Sequence, residues 1–260
     1  MGSPGRGRPF AALLLVIVMM TPGVARADYR LVELGGRAVK WGAPRFGVPA
    51  TVTYGFVAGP RHFAGARNCE DMTAIEPEKL GAGVTAKGFG EVVSKAFARW
   101  SQAAGITFRP AGPGEHPGIL LGVQAHPTGR AYTNVTPGSG DGLFAEASAS
   151  AARGLDGGQE TTAAPQTRTS PMAIGQALIC LNPLRGWKIG LDGNRDVYDL
   201  EFTLAHEIGH AIGLDHPSDR NELMHFRYRE VPTRLSAGDI AGARLLYGPP
   251  LALARGHHGP

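Results

Sequence analysis

Eleven consecutive residues hold most of the chemistry open to this chain: His206-Glu207-Ile208-Gly209-His210-Ala211-Ile212-Gly213-Leu214-Asp215-His216, with Met224 following. Residues four apart on a helix share one face, so His206 and His210 can present imidazole nitrogens to a single ion. Glu207 points into the same cleft. Gly213 offers the positive φ that ends a helix at little steric cost, turning the chain so that His216 can reach the ion from outside the helix. Three protein ligands leave a fourth position for water, which is the arrangement of a catalytic zinc site and not of a closed structural one. One Zn2+ is therefore expected. It would lower the pKa of bound water and polarise a carbonyl, with Glu207 as general acid and base for the proton of that water. The bland alternative is a buried helix whose histidines fall at these positions by chance.

Several elements must position these residues. Asp199 reads as the N-cap of a helix running through Leu200, Thr203 and Leu204 into His206. Earlier, Val93, Ala96, Phe97 and Trp100 recur at helical spacing within residues 89–104, and Gly105 ends that amphipathic helix. Strand patterns occupy residues 51–57, 106–108, 119–123, 130–135 and 177–181, with Gly and Pro as punctuation between them. A strand, a helix and then more strands predict a sheet with a helix packed on one face. Residues 28–40 read as an extension without pattern, residues 58–87 as a surface excursion with a helical turn near residues 74–80, and residues 182–196 as a connector. Ser236 and Asp239 resemble a capping box for a last helix that Gly248-Pro249-Pro250 ends, followed by a tail at residues 249–260.

Residues 1–27 carry Arg6 and Arg8, an apolar run too short to span a bilayer comfortably, and a small-residue cleavage site, which together read as a signal peptide. The remainder is expected outside the cytoplasm, secreted or periplasmic, as a monomer without a membrane anchor. The chain's 26 basic and 22 acidic residues give +4, but residues 1–27 remove three arginines and no acid, so the mature charge is about +1. That excludes an electrostatic case for nucleic acid. Cys69 and Cys180 are the only cysteines, and in an oxidising compartment an even pair is expected to bridge. Residues 136–171 are mostly Gly, Ser, Ala and Thr and predict a long loop. Asp141, Glu146, Asp156 and Glu160 within it fit no calcium loop, so calcium is unsupported and these acids read as solvated.

The full spacing from His206 to His216, with the following Met, is the metzincin signature. The chain resembles a matrixin, the metzincin subgroup that contains the matrix metalloproteinases, in a compact form without accessory domains. The resemblance rests on residues 96–101, residues 206–216, Leu223-Met224, residues 235–240 and Leu246-Tyr247-Gly248. It covers roughly residues 41–248. It implies an α+β fold of the metzincin or zincin type: a twisted mixed sheet of about five strands, two long helices, and a small C-terminal subdomain ending in a helix. It also implies a secreted zinc endopeptidase acting on protein or peptide substrates, with Met224 beneath the zinc ligands and Phe226, Arg227 and Tyr228 as a wall of the S1′ pocket. The strand at residues 131–135 is the expected edge for an extended substrate. The alternative on the same fold is a zinc-binding adhesion or scaffolding module without peptidase activity.

Departures from the family pattern are local. His225 and Phe226 stand where Tyr and Pro are usual, Gly238 replaces a common acid, and no ligands for a second, structural zinc are found between His126 and Gln176. Residues 44–49 resemble a cysteine-switch sequence, yet Phe46 has no thiolate, so latency by that route is not expected.

Overall fold

The computed structural model describes Gly2 and residues 28–138 and 169–251. The expected signal peptide, the four acids weighed for calcium and most of the tail lie outside these residues. Residues 28–40, patternless in sequence, form β1 (Arg30–Leu31), β2 (Glu33–Leu34) and β3 (Arg37–Lys40), and the alternating residues that follow form β4 (Ala50–Phe56). Next come β5 (Arg61–His62), β6 (Asp71–Thr73), the single turn α1 (Pro77–Leu80) and the long helix α2 (Ala86–Ala103). Strands β7 (Ile106–Pro110), β8 (Ile119–Gln124), β9 (Ala131–Pro137) and β10 (Met172–Leu181) precede the short pair β11 (Trp187–Lys188) and β12 (Tyr198–Asp199). The site helix α3 (Leu200–Ala211), β13 (Leu214–Asp215) and α4 (Ala237–Tyr247) complete the order.

The five longer strands lie side by side as β7-β4-β8-β10-β9, matching the expected α+β sheet. The first four run parallel and β9 returns antiparallel along β10. Among the described residues β9 pairs with no other strand, so its outer edge is open. Every residue of β8 is buried, because both faces of the sheet are covered. Ile119, Leu121 and Val123 face the main core with α2 and α3, while Leu120 joins Leu178 and Cys180 in a second cluster on the opposite face. That cluster is roofed by Phe63, Ala66, Cys69 and Met72. The supposed surface excursion thus packs on the sheet, and the Cys69–Cys180 disulfide, with Cα atoms 5.7 Å apart, ties it to β10.

Helix α2 buries Phe89, Val92, Val93, Ala96, Phe97 and Trp100 on one stripe. Each of the Val and Phe side chains contributes about 1.5–3 kcal/mol when fully withdrawn from water. Thr85 caps it, its hydroxyl accepting from the Gly88 N–H at 3.1 Å. Helix α3 is different: all of it except Glu201 is buried, as expected of a helix enclosed by other elements on every side. Its last carbonyls are met by side chains from afar, Trp41 Nε1 donating to Ala211 O and Tyr247 Oη donating to Ile212 O, each at 2.7 Å. Among the described residues no helix is long and apolar enough to cross a membrane.

Candidate metal centre

Asp199 starts the site helix as its sequence position predicts, with Oδ1 accepting from the Phe202 N–H at 2.7 Å. Its Oδ2 accepts from the Gly190 N–H at 2.7 Å, so one buried carboxylate joins helix and connector. Two turns later, His206 and His210 face the same point. Gly213, at φ +104, then turns the chain so closely against β3 that a Cβ would lie 2.2 Å from Val39 O. No other residue fits that turn. β13 follows, held antiparallel to β1, and delivers His216 to the same point.

The three Nε2 atoms are separated by 3.2, 3.2 and 3.1 Å. Three nitrogens at zinc–nitrogen distances in a tetrahedral site would be about 3.3 Å apart. The far side of two rings decides the tautomer. His206 Nδ1 faces Leu223 O at 2.8 Å and His210 Nδ1 faces Leu214 O at 2.7 Å. A carbonyl only accepts, so both Nδ1 atoms carry the proton and both Nε2 lone pairs point inward. Burial pushes the His206 imidazole well below its usual pKa, and burial together with His210 pushes His216 down to about 2. Neutral imidazoles with converging lone pairs repel one another unless a cation sits between them. The donor set therefore fits a metal ion, and His206, His210 and His216 form the metal-capable cluster among the described residues.

Glu207 lies beside the ligands, only 4% exposed. Thr133 on β9 reaches it: the hydroxyl is 2.7 Å from Glu207 Oε2 and 3.0 Å from Glu207 O. The carboxylate is thereby held at the strand whose outer edge is open. Met224 is buried under the helix, where a Cβ on Gly209 would come within 2.1 Å of Met224 Sδ and 2.9 Å of Trp100 Cζ2. Gly209, between the two helical histidines, lets thioether and indole approach the backbone.

The segment after Met224 divides. Phe226 is exposed with its ring edge-on to His216 at 6.3 Å, and the Arg227 guanidinium lies over Phe226 at 5.3 Å. Tyr228 turns inward, edge-on to Tyr198 and Phe202. Its hydroxyl accepts from the Asp199 N–H at 2.9 Å and donates to Glu230. Residues 44–49 lie elsewhere, with the Gly47 N–H donating to Leu245 O on α4.

A family model described as matrixin, of the M10 peptidases, matches residues 74–248. The chain belongs to the matrixin family. Among curated relatives, matrix metalloproteinase-16 of human, rat and mouse is 37% identical over 67 residues, which is 25% of this chain and 11% of the relative. Metalloendoproteinase 1-MMP of Arabidopsis thaliana is 42% identical over 62 residues, 23% of this chain and 17% of the relative. The alignment thus spans a small part of these relatives. The carbonyls of Leu223 and Leu214 that orient the histidines, Thr133 beside Glu207, and Arg130 over Tyr198 and Tyr228 carry no local signature in the sequence.

Proposed function

We propose that this matrixin is an exported zinc endopeptidase. The observation that carries the reading is the convergence of three imidazole nitrogens beside an anchored carboxylate and an open strand edge. His206, His210 and His216 would hold Zn2+, which when bound supplies a Lewis acid for the scissile carbonyl and a water of lowered pKa. Glu207 takes the proton from the attacking water and delivers it to the leaving amine, with Thr133 setting the carboxylate's orientation. The edge of β9 binds an extended protein or peptide segment by main-chain hydrogen bonds, the expected mode for an unpaired strand. Met224 forms the floor of the metal centre, and Phe226, Arg227 and Tyr228 border the pocket beside it. Residues 1–27 act as a signal peptide, placing a monomeric enzyme in the secreted or periplasmic space, where the disulfide is stable.

The test is direct. Protein lacking residues 1–27 is expected to cut an unstructured protein, to lose that activity to a chelator and to regain it with zinc. Glu207→Gln is expected to fold and bind zinc with turnover reduced by at least about a thousandfold, in the range of lost general base and acid steps. Wild-type turnover in Glu207→Gln would remove the proposed mechanism, and a folded, zinc-loaded wild type inert toward all peptides would favour a binding module.

A further inference from the structure

Arg130 immediately precedes β9 and has no role in the mechanism above. It is half-buried, and its Nε is sealed from solvent with no hydrogen-bond partner. Its guanidinium lies over two aromatic faces, 5.5 Å from the Tyr198 centroid and 5.7 Å from the Tyr228 centroid. Both rings are themselves fixed: Tyr198 sits in β12 and tilts against Trp187, while the Tyr228 hydroxyl is engaged by Asp199 and Glu230. The Arg130 charge reaches the site and attracts Glu207. Yet among the described residues no carboxylate forms an ion pair with it, and Glu207 takes its hydrogen bond from Thr133. A guanidinium partly withdrawn from water without an ion-pair partner is costly, and two π faces offset only part of that cost.

We propose that Arg130 is a specificity-determining residue that receives a carboxylate side chain of the substrate. The planar fork matches a carboxylate with two parallel hydrogen bonds, which an ammonium or a neutral amide does not reproduce. The position of that carboxylate follows from strand direction. Thr133 marks the reacting centre on β9 because it touches Glu207. A peptide pairing antiparallel with β9, as β10 does on the other edge, runs its C-terminal half toward residue 130. The acidic residue therefore lies on the leaving-amine side, and the reach of the Arg130 charge to Glu207 keeps it near the scissile bond. Arg130 also offsets the repulsion that Glu207 would exert on such a group.

This inference rests on the peptidase reading, and the experiment separates the two. Two peptides identical except for Glu or Gln directly after the scissile bond are compared in wild type, Arg130→Lys and Arg130→Met, with zinc content and circular dichroism as controls for folding. The wild type is expected to favour the Glu peptide in kcat/KM on the order of tenfold, the range of a charge-assisted hydrogen bond. Arg130→Met is expected to abolish or invert that ratio, and Arg130→Lys to reduce it. Non-cleavable analogues, N-methylated at the scissile amide, are expected to show the same ranking in binding by titration calorimetry. A ratio near unity in wild type, or one unaltered in both variants, overturns the assignment; so does a loss of activity equal for both peptides in Arg130→Met, which would make Arg130 only a counter-charge to Glu207. If the analogues bind in the expected order and neither peptide is cut, the peptidase reading fails and Arg130 stands. If neither analogue binds and neither peptide is cut, both fall.

Discussion

Thr133 shows that the candidate site depends on side chains as ordinary as a strand threonine. Its single hydroxyl proton is shared between the carboxylate and the main-chain carbonyl of Glu207, at 2.7 and 3.0 Å. Valine has the same shape without the donor, so Thr133→Val isolates the hydrogen bond from the packing. A hydrogen bond to a charged group is worth about 1.5–3 kcal/mol, and part of that orientation is spent in turnover. The variant is expected to lose about ten- to a hundredfold in kcat, with KM and zinc content little altered, while Thr133→Ser restores most of the rate. Equal kcat in Thr133→Val and wild type would show that Glu207 needs no such anchor. The histidines and Glu207 were readable because their spacing is itself the signal. Thr133 and Arg130 were not, because a residue on β9 acquires its partner on α3 only when sheet and helix pack.

Among the elements, α4 does more than close the fold. Its Asp239 is 2% exposed. One oxygen accepts from the Ser236 N–H at 2.8 Å, which is the backward bond of the predicted capping box. The same carboxylate accepts from the N–H groups of Leu223 at 2.8 Å and Met224 at 3.1 Å. Leu223 O in turn receives His206 Nδ1–H. A helix cap thus holds the segment that orients a metal ligand. Replacing the carboxylate with an amide puts an NH2 where an acceptor is needed and leaves buried donors unmet. Asp239→Asn is expected to lower stability by about 2–4 kcal/mol in thermal unfolding. It is also expected to weaken zinc about ten- to a hundredfold in a chelator competition, the usual effect of removing the support of a ligand. Unaltered zinc affinity in a destabilised Asp239→Asn would confine Asp239 to capping. The cap was legible from Ser236 and Asp239. Its second task was not, since the groups it meets are backbone amides whose side chains carry no trace of the contact.

At the scale of the molecule, the amino-terminal strands join the sheet to α4 around a buried cation. Lys40 ends β3, which runs beside the start of β10, and the side chain is fully withdrawn from solvent. Its Nζ donates to Trp41 O at 2.7 Å and Ala43 O at 2.8 Å and lies 5.0 Å from the Tyr247 centroid on α4. Burial lowers its pKa from 10.5 to about 8. Below about pH 8 both folded and unfolded chains hold the proton, and burying the charge weighs against the fold. Between about 8 and 10.5 the unfolded chain binds more protons, so this group makes stability rise with pH, by up to about 1.4 kcal/mol per unit. Urea midpoints of wild type are therefore expected to gain on those of Lys40→Met from pH 7.5 to 9.5. A constant gap over that range would contradict the assignment. The disulfide acts at the same scale, closing a separation of 111 residues, for which the chain-entropy model allows up to about 4.7 kcal/mol.

Sequence by itself determined the metal-ligand spacing, the base beside it, the helix that carries both and its Asp199 cap. Those signals are local: a 3.6-residue period, a capping side chain and a glycine at a positive φ act within a few residues of one another. It also indicated a sheet with a helix on one face, because strand and helix periodicities differ, and the family resemblance extended this to the α+β class. Only the tertiary structure decided that residues 33–40 join the sheet, that residues 63–72 roof its second face, and that Leu223, Leu214, Thr133 and Arg130 surround the metal centre. Those contacts join residues far apart in the chain through backbone groups or through side chains common everywhere. Their meaning arises only when packing sets the distance between them.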